Sequence, residues 1–142
     1  MPKNRPLRLV VDTNLWISFL ISGRHRALDQ LLYAEKITFI FSVELLDEIS
    51  NTITKPKLRK YFSGNAMEVM LLSFEAYIEL VDVKSKVNIC RDAKDNFLLS
   101  LSKDGKADFL LTGDKDLLDL TKYGKTTILS IANFLEEMKQ HE

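Results

Sequence analysis

A chain of 142 residues with 46% hydrophobic and 28% charged side chains has the size and composition of one globular domain with a sizeable core. Basic and acidic residues number 20 each, which excludes a protein that coats nucleic acid through overall basicity, so any such contact must be a local patch. The lone Cys90 excludes an internal disulfide, and the apolar stretch 15–21 is too short to span a bilayer, so a reducing, cytoplasmic setting without a membrane partner is expected.

The first element is a strand over Leu7–Val11, short, branched and apolar, which stops on Asp12-Thr13-Asn14. Residues 15–21 are apolar nearly all round and predict a buried helix ended by Ser22-Gly23. Ala27, Leu28, Leu31 and Leu32 recur at helical spacing and predict a second helix to about residue 36. The aromatic and branched run Ile37–Phe41 predicts a second strand, followed by Ser42 as N-cap of a helix with Leu45, Leu46, Ile49 and Ile53 on one face.

Pro56 breaks that helix and a short basic segment follows over residues 57–62. Gly64-Asn65 marks a turn, and Met67, Met70, Leu71, Phe74 and Tyr77 predict another amphipathic helix. Residues 78–83 suit an edge strand, because half of their side chains are polar, and 84–88 a loop. Asp92 opens a helix that buries Phe97, Leu98 and Leu101 and ends at Gly105. A strand over 109–112 is closed by Gly113-Asp114, and a short helix covers 115–120. A turn at Tyr123-Gly124, a last strand over 126–129 and a Ser130-capped helix with Ile131, Phe134, Leu135 and Met138 on one face complete the chain.

Strand and helix alternate almost throughout, which predicts a parallel sheet with helices on both faces and one domain over residues 1–142. Ligands of such sheets gather outside the carboxyl ends of the strands, where strand order reverses. Asp12 ends the first strand and Asp114 lies just past the fourth, while Glu48 and Asp95 sit on helices near the same edge. Four carboxylates brought together there would repel one another unless protonated or joined by a cation. Hard divalent ions prefer oxygen ligands, so the pattern points to metal-assisted phosphoryl transfer.

Ordinary structural roles compete for the same residues. Asp92 reads best as an N-cap and Asp116 as a first-turn acid, while for Asp95 a place as partner of Asp92 in the first turn, and for Asp114 a cap of the following short helix, are the alternatives to ligation. Glu44 shares a helix face with Glu48 and is a reserve candidate. Asp12 is the hardest to explain without a ligand.

These residues resemble the PIN-domain nucleases, in particular the bacterial and archaeal subgroup of toxins from toxin–antitoxin pairs. The resemblance spans nearly the whole chain. It is carried by Val11-Asp12-Thr13-Asn14, Leu45-Leu46-Asp47-Glu48-Ile49, Arg91-Asp92-Ala93-Lys94-Asp95-Asn96 and Leu111-Thr112-Gly113-Asp114-Lys115-Asp116-Leu117, with Lys55-Pro56-Lys57-Leu58 also similar. It implies an α/β, Rossmann-like PIN fold of about five parallel strands, and a Mg²⁺ or Mn²⁺ site that hydrolyses single-stranded RNA. By the same resemblance Asp12, Glu48, Asp95 and Asp114 are metal ligands, directly or through water, and Asn14, Ser42 and Thr112 support them. Either Asp92 or Asp95 matches the third block; the apolar helix that follows favours Asp95. An antitoxin partner and a homodimer are also implied.

Hydrolysis of this kind needs no histidine or lysine nucleophile, and His25 and His141 stand in a loop and the tail. RNA calls for a basic, partly aromatic surface, for which Lys55, Lys57, Arg59 and Lys60 beside Tyr61 and Phe62 are the best candidates, with Arg24 and Arg26 next. The alternative is a catalytically inactive PIN scaffold that binds RNA or a protein. A phosphatase of the haloacid dehalogenase type also begins with a strand ending in Asp, but it requires a second Asp where Asn14 stands.

Overall fold

A computed structural model of the protein describes residues 5–22, 30–31, 34, 36–62 and 64–140. Its strands are β1 (Leu7–Val11), β2 (Ile37–Phe41), β3 (Ile78–Leu80), β4 (Phe109–Leu111), β5 (Lys122–Tyr123) and β6 (Thr126–Leu129). The helices are α1 (Thr13–Ser22), α2 (Val43–Ile53), α3 (Pro56–Arg59), α4 (Ala66–Phe74), α5 (Ala93–Asp104), α6 (Lys115–Leu120) and α7 (Ile131–Gln140). Apart from Gln30 and Leu31, which are helical, the helix expected over 27–36 lies outside the described residues or outside any named element. His25, His141, Arg24 and Arg26 lie outside them as well.

The strands form one six-stranded sheet in the order β3-β2-β1-β4-β6-β5, parallel except for the last pair. From β1 the chain passes through α1 to β2 on one side. From β3 it returns through α5 to β4 on the other side of β1. Right-handed crossovers running in opposite directions place their helices on opposite faces of the sheet.

Side-chain contacts agree with that rule. Leu9, Phe39 and Phe109 stand in register and therefore share a face. On that face the Trp16 ring of α1 lies 4.7 Å from Phe39 and 5.2 Å from Phe41, and Phe134 of α7 lies 5.3 Å from Phe109. Ile40 points the other way, against Gly105 at the end of α5. Trp16 is buried within this core, as its apolar surroundings in the sequence suggest.

Arg8, a charge in the middle of β1, is fully engaged. Its guanidinium reaches across β2 to Glu79 on β3 and donates to the Gly105 carbonyl at 2.9 Å. Its backbone N–H donates to Asp108 at 2.8 Å.

Three expectations need correction, the first being the edge strand over 78–83, which stops at Leu80. The helix expected to run to Tyr77 ends at Phe74 and tightens into a 3₁₀ turn over Glu75–Tyr77 before β3. Tyr123, read as part of a turn with Gly124, instead forms β5 with Lys122, paired antiparallel with β6, and Gly124 carries the turn at φ +58°. A two-residue strand carries no periodicity from which it could be read. Among the described residues, no helix is long and apolar enough to cross a membrane.

Gly105 is required by close approach rather than by its backbone angle. A Cβ there would lie 2.6 Å from Ile40 Cγ2 and 2.9 Å from the Leu101 carbonyl oxygen. Gly105→Ala is expected to destabilise the fold by about 1–3 kcal/mol, as overpacking does. Denaturant unfolding measures this, and an unchanged midpoint would contradict the packing.

Candidate metal centre at the switch point

Strand order reverses between β1 and β4, and both strands end in a polar residue. Asp12 follows β1 and Thr112 follows β4, and the two strands are bonded to the end by the Asp12 N–H and the Leu111 carbonyl at 2.9 Å. The Thr112 hydroxyl, fully buried, donates to Asp12 Oδ2 at 2.7 Å and accepts from the Asp114 N–H at 3.0 Å. Asp12 Oδ1 accepts from the Asn14 N–H at 3.2 Å, in the manner of a helix N-cap. Asp12 is thereby held in one orientation from both strands. Asn14 supplies this backbone bond, and its side chain is exposed.

Asp114 caps α6 by accepting from the Asp116 and Leu117 N–H groups at 2.8 and 3.2 Å, both on Oδ1. Its second oxygen carries no hydrogen bond among the described residues. Asp92 caps α5 by accepting from the Lys94 N–H at 2.9 Å and is exposed. Asp95, one turn further along, is 5% exposed, and its Oδ2 is buried without a hydrogen-bond partner. The structure thus separates the two acids that the sequence left open: one is a cap at the surface, the other is sequestered.

Asp95, Asp114 and Asp116 each offer a carboxylate oxygen within 4.8 Å of the others. Asp116, read from the sequence as a supporting first-turn acid, belongs to this group. It also accepts two hydrogen bonds from Arg91, at 2.9 and 3.0 Å. Burial, and after it Asp114, Asp92, Asp12 and Asp116, push Asp95 up to about 6. Burial, and after it Asp95, Asp116, Asp114 and Asp92, raise the Cys90 thiol above its ordinary value. Asp12 and Glu48 both stand outside this closest group, and Glu48 Oε1 lies 3.7 Å from Lys94 Nζ. Ser42 is the N-cap of α2, accepting from the Leu45 N–H at 3.1 Å, so its part is to set the start of the helix that carries Glu48.

Asn96, quoted above only as part of a longer stretch, has a role that sequence reasoning missed. It is buried beside Asp95, accepts from the Ile89 and Cys90 N–H groups at 3.0 and 2.7 Å, and donates to the Cys90 carbonyl at 3.0 Å. It fixes the chain just before Arg91 and Asp92. The available signal was an amide on the otherwise apolar inner side of α5.

The PIN domain family model matches residues 8–116, a span that contains all of these acids. This chain belongs to the PIN domain family. That family is one of nucleases, and an acidic cluster at the carboxyl edge of a parallel sheet is in keeping with it. The chain is 34% identical over 122 residues to the uncharacterized protein MJ1680 of Methanocaldococcus jannaschii, covering 84% of this chain and 78% of that protein.

Similar solved folds include VapBC2 of Rickettsia felis bound to a promoter DNA fragment, at TM-score 0.56 and 16% identity, covering 86% of this chain and 97% of that one. VapC20 of Mycobacterium tuberculosis, a sarcin–ricin loop cleaving toxin, aligns at TM-score 0.55 and 13% identity, covering 84% and 98%. The PIN domain of human SMG5 aligns at TM-score 0.50 and 14% identity, covering 92% and 98%. At such identities the likeness is one of fold.

The donor set of this PIN domain suits a hard divalent cation. It is all carboxylate oxygen, and the orphaned Asp95 Oδ2 is a buried acceptor that a cation would satisfy. Without metal, folded Asp95 titrates near 6 and unfolded Asp95 near its ordinary 3.8, so the native state holds the extra proton between them. Stability must then fall as pH rises from about 4 to about 6. In chelator at pH near 7, Asp95→Asn is expected to stabilise the protein by about 1–3 kcal/mol and to flatten that dependence. Thermal melts at the two ends of the window decide this, and a variant less stable than wild type at pH near 7 would contradict it.

Proposed function

We propose that the protein is an endoribonuclease dependent on Mg²⁺ or Mn²⁺ that hydrolyses single-stranded RNA, acting as the toxin of a toxin–antitoxin pair. The observation that carries this reading is the buried, unpartnered Asp95 oxygen within a carboxylate cluster at the switch point. In an inactive scaffold that carboxylate would be only a cost to folding. VapBC2 and VapC20, which share the fold, support the toxin assignment and an antitoxin partner.

Asp12, Asp95 and Asp114 would hold the cation, with Asp116 beside them and Glu48 acting from α2. A bound divalent ion supplies acidification of water and neutralisation of charge on the scissile phosphate. The chain's own contribution is orientation. Thr112 and the Asn14 N–H set both oxygens of Asp12, and the first turn of α6 sets Asp114. Arg91, exposed at the rim, stands where an RNA phosphate would approach.

Lys55, Lys57, Arg59 and Lys60 are exposed on and around α3, and Lys60 Nζ lies 5.1 Å from the Tyr61 ring centroid. This stretch is the proposed RNA track, combining phosphate contacts with an aromatic face.

Mn²⁺- or Mg²⁺-dependent cleavage of single-stranded RNA is expected for wild type and reduced at least a hundredfold in Asp12→Asn; equal rates would sink the nuclease reading. Thr112→Val, which frees Asp12 from β4, is expected to lower turnover about ten- to a hundredfold while the fold survives. Glutamate at Lys57 and Arg59 is expected to weaken RNA binding and to flatten its salt dependence. An unchanged slope would remove α3 from the track.

A further inference from the structure

At the opposite edge of the sheet, where β4 and β6 begin, the structure has a cavity of about 710 Å³. It lies at the amino ends of the strands, away from the acidic cluster at their carboxyl ends. Its volume falls in the roughly 300–1,000 Å³ range of small-molecule sites. The walls are strongly basic: Arg5, Lys103, Lys106 and Lys125 line it, and Tyr123 adds an aromatic ring. Asp108 is the one acid among the lining residues, and it is committed to Arg5 at 2.9 and 3.0 Å and to the Arg8 N–H. Lys106 and Lys125 have no carboxylate within ion-pair distance among the described residues.

Two further features mark this cavity as more than a gap between lysines. Ser102 lines it, is fully buried, and has a hydroxyl with no hydrogen-bond partner among the described residues. A buried hydroxyl left unmatched costs about 1–3 kcal/mol unless something accepts from it or donates to it. Lys106 sits at φ +53°, in the left-handed region, directly after the C-cap of α5. Glycine or asparagine would occupy that position at lower cost. The turn returns the Lys106 and Ala107 N–H groups to the Lys103 and Ser102 carbonyls at 3.2 and 2.9 Å, and it leaves the Lys106 ammonium, without an ion pair among the described residues, at the cavity wall.

We infer that this cavity binds a phosphorylated ligand of mononucleotide size, with Lys106 and Lys125 taking the phosphate and Tyr123 offering a face to the base. The ligand chemistry is that of a nucleotide phosphomonoester, free in solution or at the end of an RNA strand. A phosphate dianion matches two unpaired ammonium groups, and every base has a ring face to stack. The site needs no divalent ion, so it stands or falls separately from the nuclease reading.

The test is calorimetric titration of the whole protein with adenosine 5′-monophosphate in chelator at low salt, beside the Lys106→Gly/Lys125→Ala variant. Saturable binding that weakens at least tenfold in the variant, and at least tenfold for adenosine, is the expected result. Because Lys106→Gly relieves the left-handed strain, the variant should melt no lower than wild type, which separates lost binding from lost fold. No saturable binding of the nucleotide, undiminished binding by the variant, or inorganic phosphate binding as tightly as the nucleotide would overturn the inference. Given binding, competition by a 5′-phosphorylated oligoribonucleotide assigns the ligand to a strand end, and lack of competition assigns it to the free nucleotide.

Discussion

The hydroxyl of Thr112 bonded to the carboxylate of Asp12 is the contact on which the switch point depends. It joins the carboxyl ends of β1 and β4, the two strands between which the sheet changes direction. The same oxygen accepts from the Asp114 N–H, so one side chain ties the end of β1 to the start of α6. A hydroxyl-to-carboxylate bond buried in this way is stronger than one between neutral groups. Two acids from distant parts of the chain are positioned by strands, which move less than loops.

Around that clasp the protein gathers more negative charge than folding alone would favour. Three of the aspartates are N-caps or cap-like, and each has a local reason to be where it is. Asp95 has none. It is buried, one oxygen is unmatched, and its proton affinity is raised first by burial and then by its acidic neighbours. The proposed cation would relieve that cost, and stability and metal binding would then draw on the same residues.

The sheet carries opposite chemistry at its two edges. Carboxylates collect where the parallel strands end, and unpaired lysines stand where β4 and β6 begin. A neutral total charge therefore conceals two local fields of opposite sign, each confined to within about a Debye length of its edge. Composition averages over both, so charge bookkeeping along the chain could exclude a broadly basic protein but find neither site.

Much of the architecture was legible before any coordinates. The runs at Leu7–Val11 and Ile37–Phe41 are apolar on both sides apart from one residue each, Arg8 and Thr38, so they belong inside a parallel sheet. Asp12, directly after β1, and Asp114, shortly after β4, could be placed at one edge because a strand end is a local property of sequence. Helix starts at Ser42, Asp92 and Asp114 were readable for the same reason, since a cap bonds only to its own next few residues. What required the tertiary structure is everything that joins distant segments. The choice between Asp92 and Asp95 depends on which side of α5 faces the sheet edge. The inclusion of Asp116 depends on the approach of α6 to α5, and the tie from Thr112 to Asp12 spans a hundred residues. The cavity beneath β4 and β6 needs the two-residue β5, too short to leave a period, and a lysine in a left-handed turn that local propensity opposes. Local preference determined where the elements and their caps lie; only packing decided which charges meet.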